Sequence, residues 1–203
     1  KLVTVGTALN QGTITPTSVF QVPYALDLPD AGGPITDFHE HDGETLTATG
    51  VLAESSNTGT VLIGQTTSDD QRYSMMRGFG FGQETGIELP GESAGLLRSA
   101  DQWQGRDRYV TMFGQAYAIT AMQEASALAT IANGGVRISP HLVKSWTNAD
   151  GTVEVPDTSQ PVQVMDAQAA SQLLTMMESV VEDDLGTAGA AKVPGYRVGV
   201  KTG

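Results

Sequence analysis

Apolar residues along this chain follow a helical period more often than an alternating one. Leu2, Val5 and Leu9 recur at helical spacing and Gly12 stands where a helix would stop, so residues 1–11 read as a helix beginning at Lys1. Over 121–132 a run of Ala, Met, Leu and Ile is opened by a capping box at Thr120 and Gln123 and closed by Asn133-Gly134-Gly135. These residues cover nearly the whole circumference, which predicts a buried central helix. Asp166 caps a second long helix with Ala170, Leu173, Leu174, Met177 and Val181 on one stripe, and Met176 and Val180 read as core beside it. Large and small residues alternate in Tyr196-Arg197-Val198-Gly199-Val200, which predicts a short strand. Weaker signals predict extended stretches near 18–23 and 35–41, and a short helix capped by Thr45 that runs through Glu54 and delivers Ser55 onto a turn. They also predict an apolar segment at 61–63, a glycine-rich loop over 79–95 and a strand-like connection over 136–146. The sum is an α+β arrangement, a mostly helical body with only a little sheet.

Composition narrows the function classes. The 203 residues suffice for one sizeable core, and 39% apolar content is ordinary for a soluble domain. Eleven basic against 23 acidic residues give a net charge of −12, which argues against nucleic acid or anionic lipid as the main partner. The absence of cysteine excludes disulfides and thiol-based metal or redox chemistry. No apolar run approaches the length of a membrane span.

The chemistry-bearing residues gather in two tripeptides. Lys201-Thr202-Gly203 closes the predicted strand with an ammonium, a hydroxyl and bare backbone, a receptor for a carboxylate and its adjoining peptide. Ser55-Ser56-Asn57 offers a hydroxyl and a carboxamide separated by one residue. Paired, they point to acyl transfer of the penicillin-recognising kind. Each alone has a plainer reading: a solvated strand end, and a helix C-terminus with Asn57 in a left-handed cap. His39 and His41 would share one face of a strand, as a divalent metal requires, but a third ligand must come from Asp37 or elsewhere. A solvated strand end before the Asp42-Gly43 turn is the stronger reading, and no metal is assigned. A Ser-His-Asp triad through His141 lacks the glycines of a nucleophile elbow around any serine. Glu182-Asp183-Asp184 opposes a helix dipole and reads as solvated surface.

The order of further segments is more specific than either tripeptide. Thr7-Ala8-Leu9-Asn10-Gln11-Gly12 follows the helix-initial lysine, and Gly50-Val51-Leu52-Ala53-Glu54 leads into Ser55. Phe79-Gly80-Phe81-Gly82 precedes Gly86-Ile87-Glu88-Leu89-Pro90-Gly91-Glu92. Phe113-Gly114-Gln115 precedes Ile131-Ala132-Asn133-Gly134-Gly135, and Gly195-Tyr196 leads into Lys201. This succession resembles the transpeptidase domain of class B penicillin-binding proteins, especially the division-associated branch, over essentially the whole chain. The acidic, Ala/Gly/Thr-rich composition is of an actinobacterial type.

The resemblance implies the fold shared by penicillin-binding proteins and serine β-lactamases, a helical body with an antiparallel sheet that is incomplete in this chain. The family carries Ser-x-x-Lys, Ser-x-Asn and Lys-Thr-Gly. The last two stand at 55–57 and 201–203, and Lys1 matches the lysine of the first, with the serine three residues before it. Residues 1–203 then form a partial transpeptidase domain from the first motif to the third, expected to be inactive alone. On this reading Lys1 is the general base, Ser55 relays a proton to the departing amine, and Asn57 holds a substrate amide. Thr202 and Lys201 receive the substrate carboxylate, while Gly203 lets the ligand approach the backbone. The implied activity is serine-type D-Ala-D-Ala transpeptidation on peptidoglycan stem peptides, without a cofactor and inhibited by β-lactams. The resemblance also implies an extracytoplasmic site at the cell membrane, with an anchor and glycosyltransferase or division-complex partners reached through segments outside this chain. Two alternatives share the motifs. A class A β-lactamase needs a Glu-x-x-x-Asn loop, which is not found in the right setting between Asn57 and Lys201. A non-catalytic penicillin sensor could retain every residue named.

Overall fold

In a computed structural model, which describes residues 1–155 and 160–203, helix α1 (Leu2–Asn10) is the buried axis of the molecule. Thr4 to Leu9 are all buried, and small side chains let the neighbouring helices close in. A Cβ on Gly6 would lie 3.2 Å from Leu173. The buried threonines are satisfied by backbone carbonyls: Thr4 Oγ1 donates to the distant Met112 O (2.6 Å) and Thr7 Oγ1 to Val3 O (2.7 Å) within the helix. Around α1 pack α2 (Ala48–Ala53), α3 (Asn57–Gly64), α4 (Asp69–Gly78) and α7 (Ala167–Glu182).

Helix α7 buries Ala169, Ala170, Leu173, Met176, Met177, Val180 and Val181, close to the predicted stripe. Each such large side chain taken fully from water contributes about 1.5–3 kcal/mol before entropy is counted. Asp166 occupies the cap position, but its side chain makes no capping bond. Its N–H instead donates to Asn10 Oδ1 (2.7 Å), which ties the end of α1 to the start of α7. Helix α6 (Ala121–Ala132) has both halves of its capping box. It is not the buried central helix predicted: Gln123, Ala127, Thr130 and Ile131 are buried while Glu124, Leu128 and Ala129 are exposed. Alanine counts as apolar in a periodicity but loses little by facing water, so α1 takes the central place. The buried Gln123 Nε2 donates to Gln83 O (2.8 Å) and Ala94 O (2.9 Å), pinning the predicted loop over 79–95.

The sheet content is four two-stranded antiparallel ladders among the described residues. β1 (Val19–Val22) pairs with β4 (Glu44–Thr47), and β2 (Ala25–Leu26) with β3 (Ile35–Thr36). β5 (Val136–Arg137) pairs with β8 (Val162–Gln163), and β6 (Trp146–Thr147) with β7 (Val153–Glu154). Several expectations are corrected here. Thr45 lies inside β4 opposite Gln21, and Thr47 caps α2 through Gly50 N–H (3.0 Å). The alternating threonines of Glu44–Thr47 suit a strand, so the cap falls two residues later. The apolar segment expected at 61–63 is present and belongs to α3. Helix α4, assigned no element from sequence, starts from a capping box at Ser68 and Gln71. The four-residue α5 (Asp107–Val110) supports a small second core of Ile35, Val61, Tyr109 and Met112. Residues 196–200 form no strand, since no ladder partner lies alongside among the described residues. Among those residues no helix is long and apolar enough to cross a membrane.

Candidate active site

Helices α2 and α3 are joined by a short junction, and its conformation shapes the site. Glu54 ends α2, Ser55 takes the left-handed region (φ 61°), and Ser56 caps α3, whose first residue is Asn57. Left-handed backbone is costly for a residue with a side chain and persists only when neighbours enforce it. The left-handed residue is thus Ser55, not Asn57 as the plain capping alternative held. Ser56 Oγ accepts from Gly59 N–H (2.8 Å) and donates to Asp37 Oδ2 (2.8 Å). Asp37 Oδ1 accepts the N–H groups of Asn57 and Thr58, the latter at 3.0 Å. Asn57 Nδ2 donates to Thr36 O (3.0 Å).

The last residues of the chain reach this junction by lying across α7. Val200 N–H donates to Met177 O (3.2 Å), and a Cβ at Gly199 would meet Met177 Cβ at 3.2 Å, so glycine lets the segment sit close. Lys201 Nζ then donates to Ser55 Oγ (2.7 Å) and to Thr202 O (2.6 Å). The Thr202 hydroxyl is 2.8 Å from that of Thr187, whose N–H donates to Ala53 O (3.2 Å) at the end of α2. Among the described residues, its chain neighbour aside, nothing lies within 4 Å of a Cβ built on Gly203.

Lys1 stands at the start of α1 with its ammonium 5.9 Å from the Phe113 ring centroid. Burial lowers the pKa of its side chain, partly countered by the charge of Asp37. Burial, and then the charge of Lys1, lowers Lys201 to about 8. Burial favours the neutral form of both ammonium groups and the Lys1 charge lowers Lys201 further, so the pair can supply a proton acceptor and a local positive field. Lys1, Ser55, Asn57, Thr202 and Gly203 line two adjoining cavities, of about 490 Å³ and 470 Å³. Lys201 and the rings of Phe81, Phe113 and Tyr117 belong to the first. Asp37, His39, His41, Glu44 and Glu54 line the second. Glu54 is pushed up to about 7, by burial first and then by the hydrogen bond and charge of Glu44.

All six residues singled out from the sequence therefore converge. The shared-face geometry for His39 and His41 is corrected: the chain bends at Phe38 and His39, and both ring nitrogens of His41 are engaged, by Asp37 (3.3 Å) and by Gly43 N–H (3.1 Å). The sequence offers Asp37 only as a third metal ligand, and Thr187 was missed. Neither lies at a motif spacing, and only the tertiary fold brings them to the junction.

A helical body with a lysine-headed buried helix, a Ser-x-Asn junction and Lys-Thr-Gly at one cavity defines a serine acyl-transfer class. The chain belongs to the penicillin binding protein transpeptidase domain family, whose profile matches residues 1–203. It is 38% identical over 208 residues to penicillin-binding protein PbpB of Mycolicibacterium smegmatis, covering 100% of this chain and 32% of that protein. It is 30% identical over 204 residues to peptidoglycan D,D-transpeptidase FtsI of Escherichia coli strain K12, again covering 100% of this chain and 32% of that protein. Among solved structures, penicillin-binding protein 3 of Mycobacterium tuberculosis complexed with aztreonam superposes with a TM-score of 0.90 at 35% identity, covering 96% of this chain and 44% of that one. The chain spans about a third of the length of these curated relatives.

Proposed function

We propose that the protein carrying this chain is a peptidoglycan D,D-transpeptidase that cross-links stem peptides through a serine acyl-enzyme and is inhibited by β-lactams. The observation that carries the reading is the contact of Lys201 Nζ with Ser55 Oγ at 2.7 Å, in a cavity shared with Lys1, Asn57 and Thr202. In the Ser-x-x-Lys register the nucleophile is the serine three residues before Lys1, one helical turn away on the same face.

Lys1, in its unprotonated form, takes the proton of that serine as its oxygen bonds to the penultimate D-Ala carbonyl carbon. The C–N bond then breaks, and the terminal D-Ala amine leaves with a proton passed through Ser55. The amine of a second stem peptide attacks the ester, its proton returns along the same path, and the serine is released. Asn57 Oδ1, which no donor among the described residues reaches, accepts the substrate N–H. Lys201 and Thr202 hold the carboxylate of the donor peptide or of a β-lactam, and the open space beside Gly203 admits its backbone. The relatives' names support this substrate class, and the M. tuberculosis protein has been crystallised with aztreonam and ampicillin. An extracytoplasmic location, a membrane anchor and division-complex partners belong to the same proposal, through segments outside these residues.

The test is labelling of the full-length protein by a fluorescent penicillin. One stable adduct per molecule is expected, lost when the serine three positions before Lys1 becomes Ala. Persistent labelling would show that the register of the first motif is wrong, and rapid multiple-turnover hydrolysis of nitrocefin would favour a β-lactamase instead.

A further inference from the structure

We infer that Asp37 is the positioning residue of the Ser55-Ser56-Asn57 junction, acting on the reaction through Asn57; the inference rests on the transpeptidase reading. Its side chain is 9% exposed and directed at the start of α3. Oδ1 receives the Asn57 and Thr58 N–H groups, and Oδ2 receives Ser56 Oγ at 2.8 Å. The Thr58 hydroxyl lies 3.0 Å from Oδ2 and 2.7 Å from Pro23 O, its one proton serving one of the two. His41 adds a donor from the other side. Its Nδ1 accepts Gly43 N–H, which leaves the proton of the neutral ring on Nε2, facing Asp37.

Ser56 Oγ serves only the Gly59 N–H at the start of α3, and the carboxylate takes the two N–H groups before it, at Asn57 and Thr58. What Asp37 adds is a grip on Asn57. The residue before it, Thr36, accepts from the Asn57 side chain while Asp37 accepts from the Asn57 backbone. Held at both ends, Asn57 has its amide plane set, with Oδ1 left for a ligand donor. Ser55 stands outside this clamp, its hydroxyl held by Lys201 Nζ instead.

The experiment uses the full-length protein, stopped-flow acylation by a chromogenic or fluorescent penicillin, and active-site titration to count competent molecules. Asp37→Asn preserves the shape, removes the charge and turns an NH₂ toward one of the donors. The acylation rate constant per titrated site should fall about 10- to 100-fold, the scale of lost charge-assisted hydrogen bonds. In an Asn57→Ala background the same change should cost less than about 3-fold, because a residue that acts through Asn57 has nothing left to position. A purely structural role would lower the titrated fraction and leave the rate per site unchanged, which overturns the inference; so does an additive double-mutant cycle. If Asp37→Asn does not fold, Ser56→Ala, which removes one donor to the carboxylate, carries the test, and a wild-type rate per site there overturns it. Absence of acylation in the unmodified protein would remove the transpeptidase reading itself, whereas normal acylation of both Asp37 forms removes this inference alone.

Discussion

Replacing Gly59 by alanine tests how closely the α2–α3 junction is built. Gly59 lies in the first turn of α3, where a Cβ would come within 2.8 and 2.9 Å of the two Val51 methyl carbons and 2.9 Å of Ser56 Oγ. Val51 is fully buried in α2, and a β-branched side chain in a helix has one favoured rotamer, so it cannot swing aside. Ser56 Oγ cannot retreat without stretching its bonds to Gly59 and Asp37. Forcing a methyl group into such a site costs about 1–3 kcal/mol. Alanine recovers about 0.5–1 kcal/mol over glycine within a helix. The net expectation is a loss of up to roughly 2.5 kcal/mol and about 1 kcal/mol at mid-range, taken up where Ser55 and Asn57 are held. Urea unfolding of the full-length protein measures the stability, and stopped-flow acylation by a fluorescent penicillin measures the site. Both should fall together. A Gly59→Ala protein of equal or greater stability, acylated at the unmodified rate, would falsify the account of the junction as close-packed.

Three further outcomes follow from the charges and hydroxyls around the cavities. Lys201 loses its proton near pH 8, so β-lactam capture should weaken as pH rises through 8; Lys1→Met removes a repelling cation and should raise the Lys201 titration seen by ¹³C NMR, and an unmoved titration would take Lys1 out of its field. Glu54 carries a folded-state pKa of about 7, above the ordinary carboxyl range, so the folded state holds more protons than the unfolded one between about 4.5 and 7 and stability falls as pH rises through that window. Glu44→Gln should flatten that fall, gaining more over the unmodified protein at pH 7.5 than at pH 4.5 in denaturant unfolding; equal gains at both pH values would refute the pairing. Thr187→Val deletes the hydroxyl between α2 and Thr202 and should weaken pre-acylation binding up to about 10-fold, the worth of one neutral hydrogen bond, with the acylation step little changed; an unchanged binding constant would show that Thr187 does not support Thr202.

Helices were legible from sequence because their signals are local. The Thr120–Gln123 box and the stripe of α7 need only the residues within them, and the Ser68–Gln71 box of α4 was equally available. Ranking the helices by burial failed, because an alanine-rich circumference looks central although exposed alanine costs little, whereas α1 earns its central place through Gly6, Thr7 and Ala8, which fit between larger neighbours. The ladders of two to four residues join distant segments, so alternation within one segment could not set their bounds. The site followed a similar division. Ser55, Asn57, Lys201 and Thr202 stand in motifs whose spacing carries chemistry. Asp37 sits 20 residues before Asn57 in a stretch whose histidines invite a metal reading, and nothing local marks its carboxylate as a partner of α3.

The meeting of two helix ends at Ser55 has an electrical consequence. A helix presents partial negative charge at its C-terminus and partial positive charge at its N-terminus. The ends of α2 and α3 therefore face one another with opposite signs across the three residues Glu54 to Ser56, and each has its own counter-charge: the Lys201 ammonium on Ser55, and the Asp37 carboxylate on the first N–H groups of α3. Cation and anion are thereby sorted to successive serines, Lys201 on the Ser55 hydroxyl and Asp37 on that of Ser56. A ligand with an anionic tail and a neutral peptide body meets a polarity already laid down by the backbone, so its direction of entry is decided before any side chain moves.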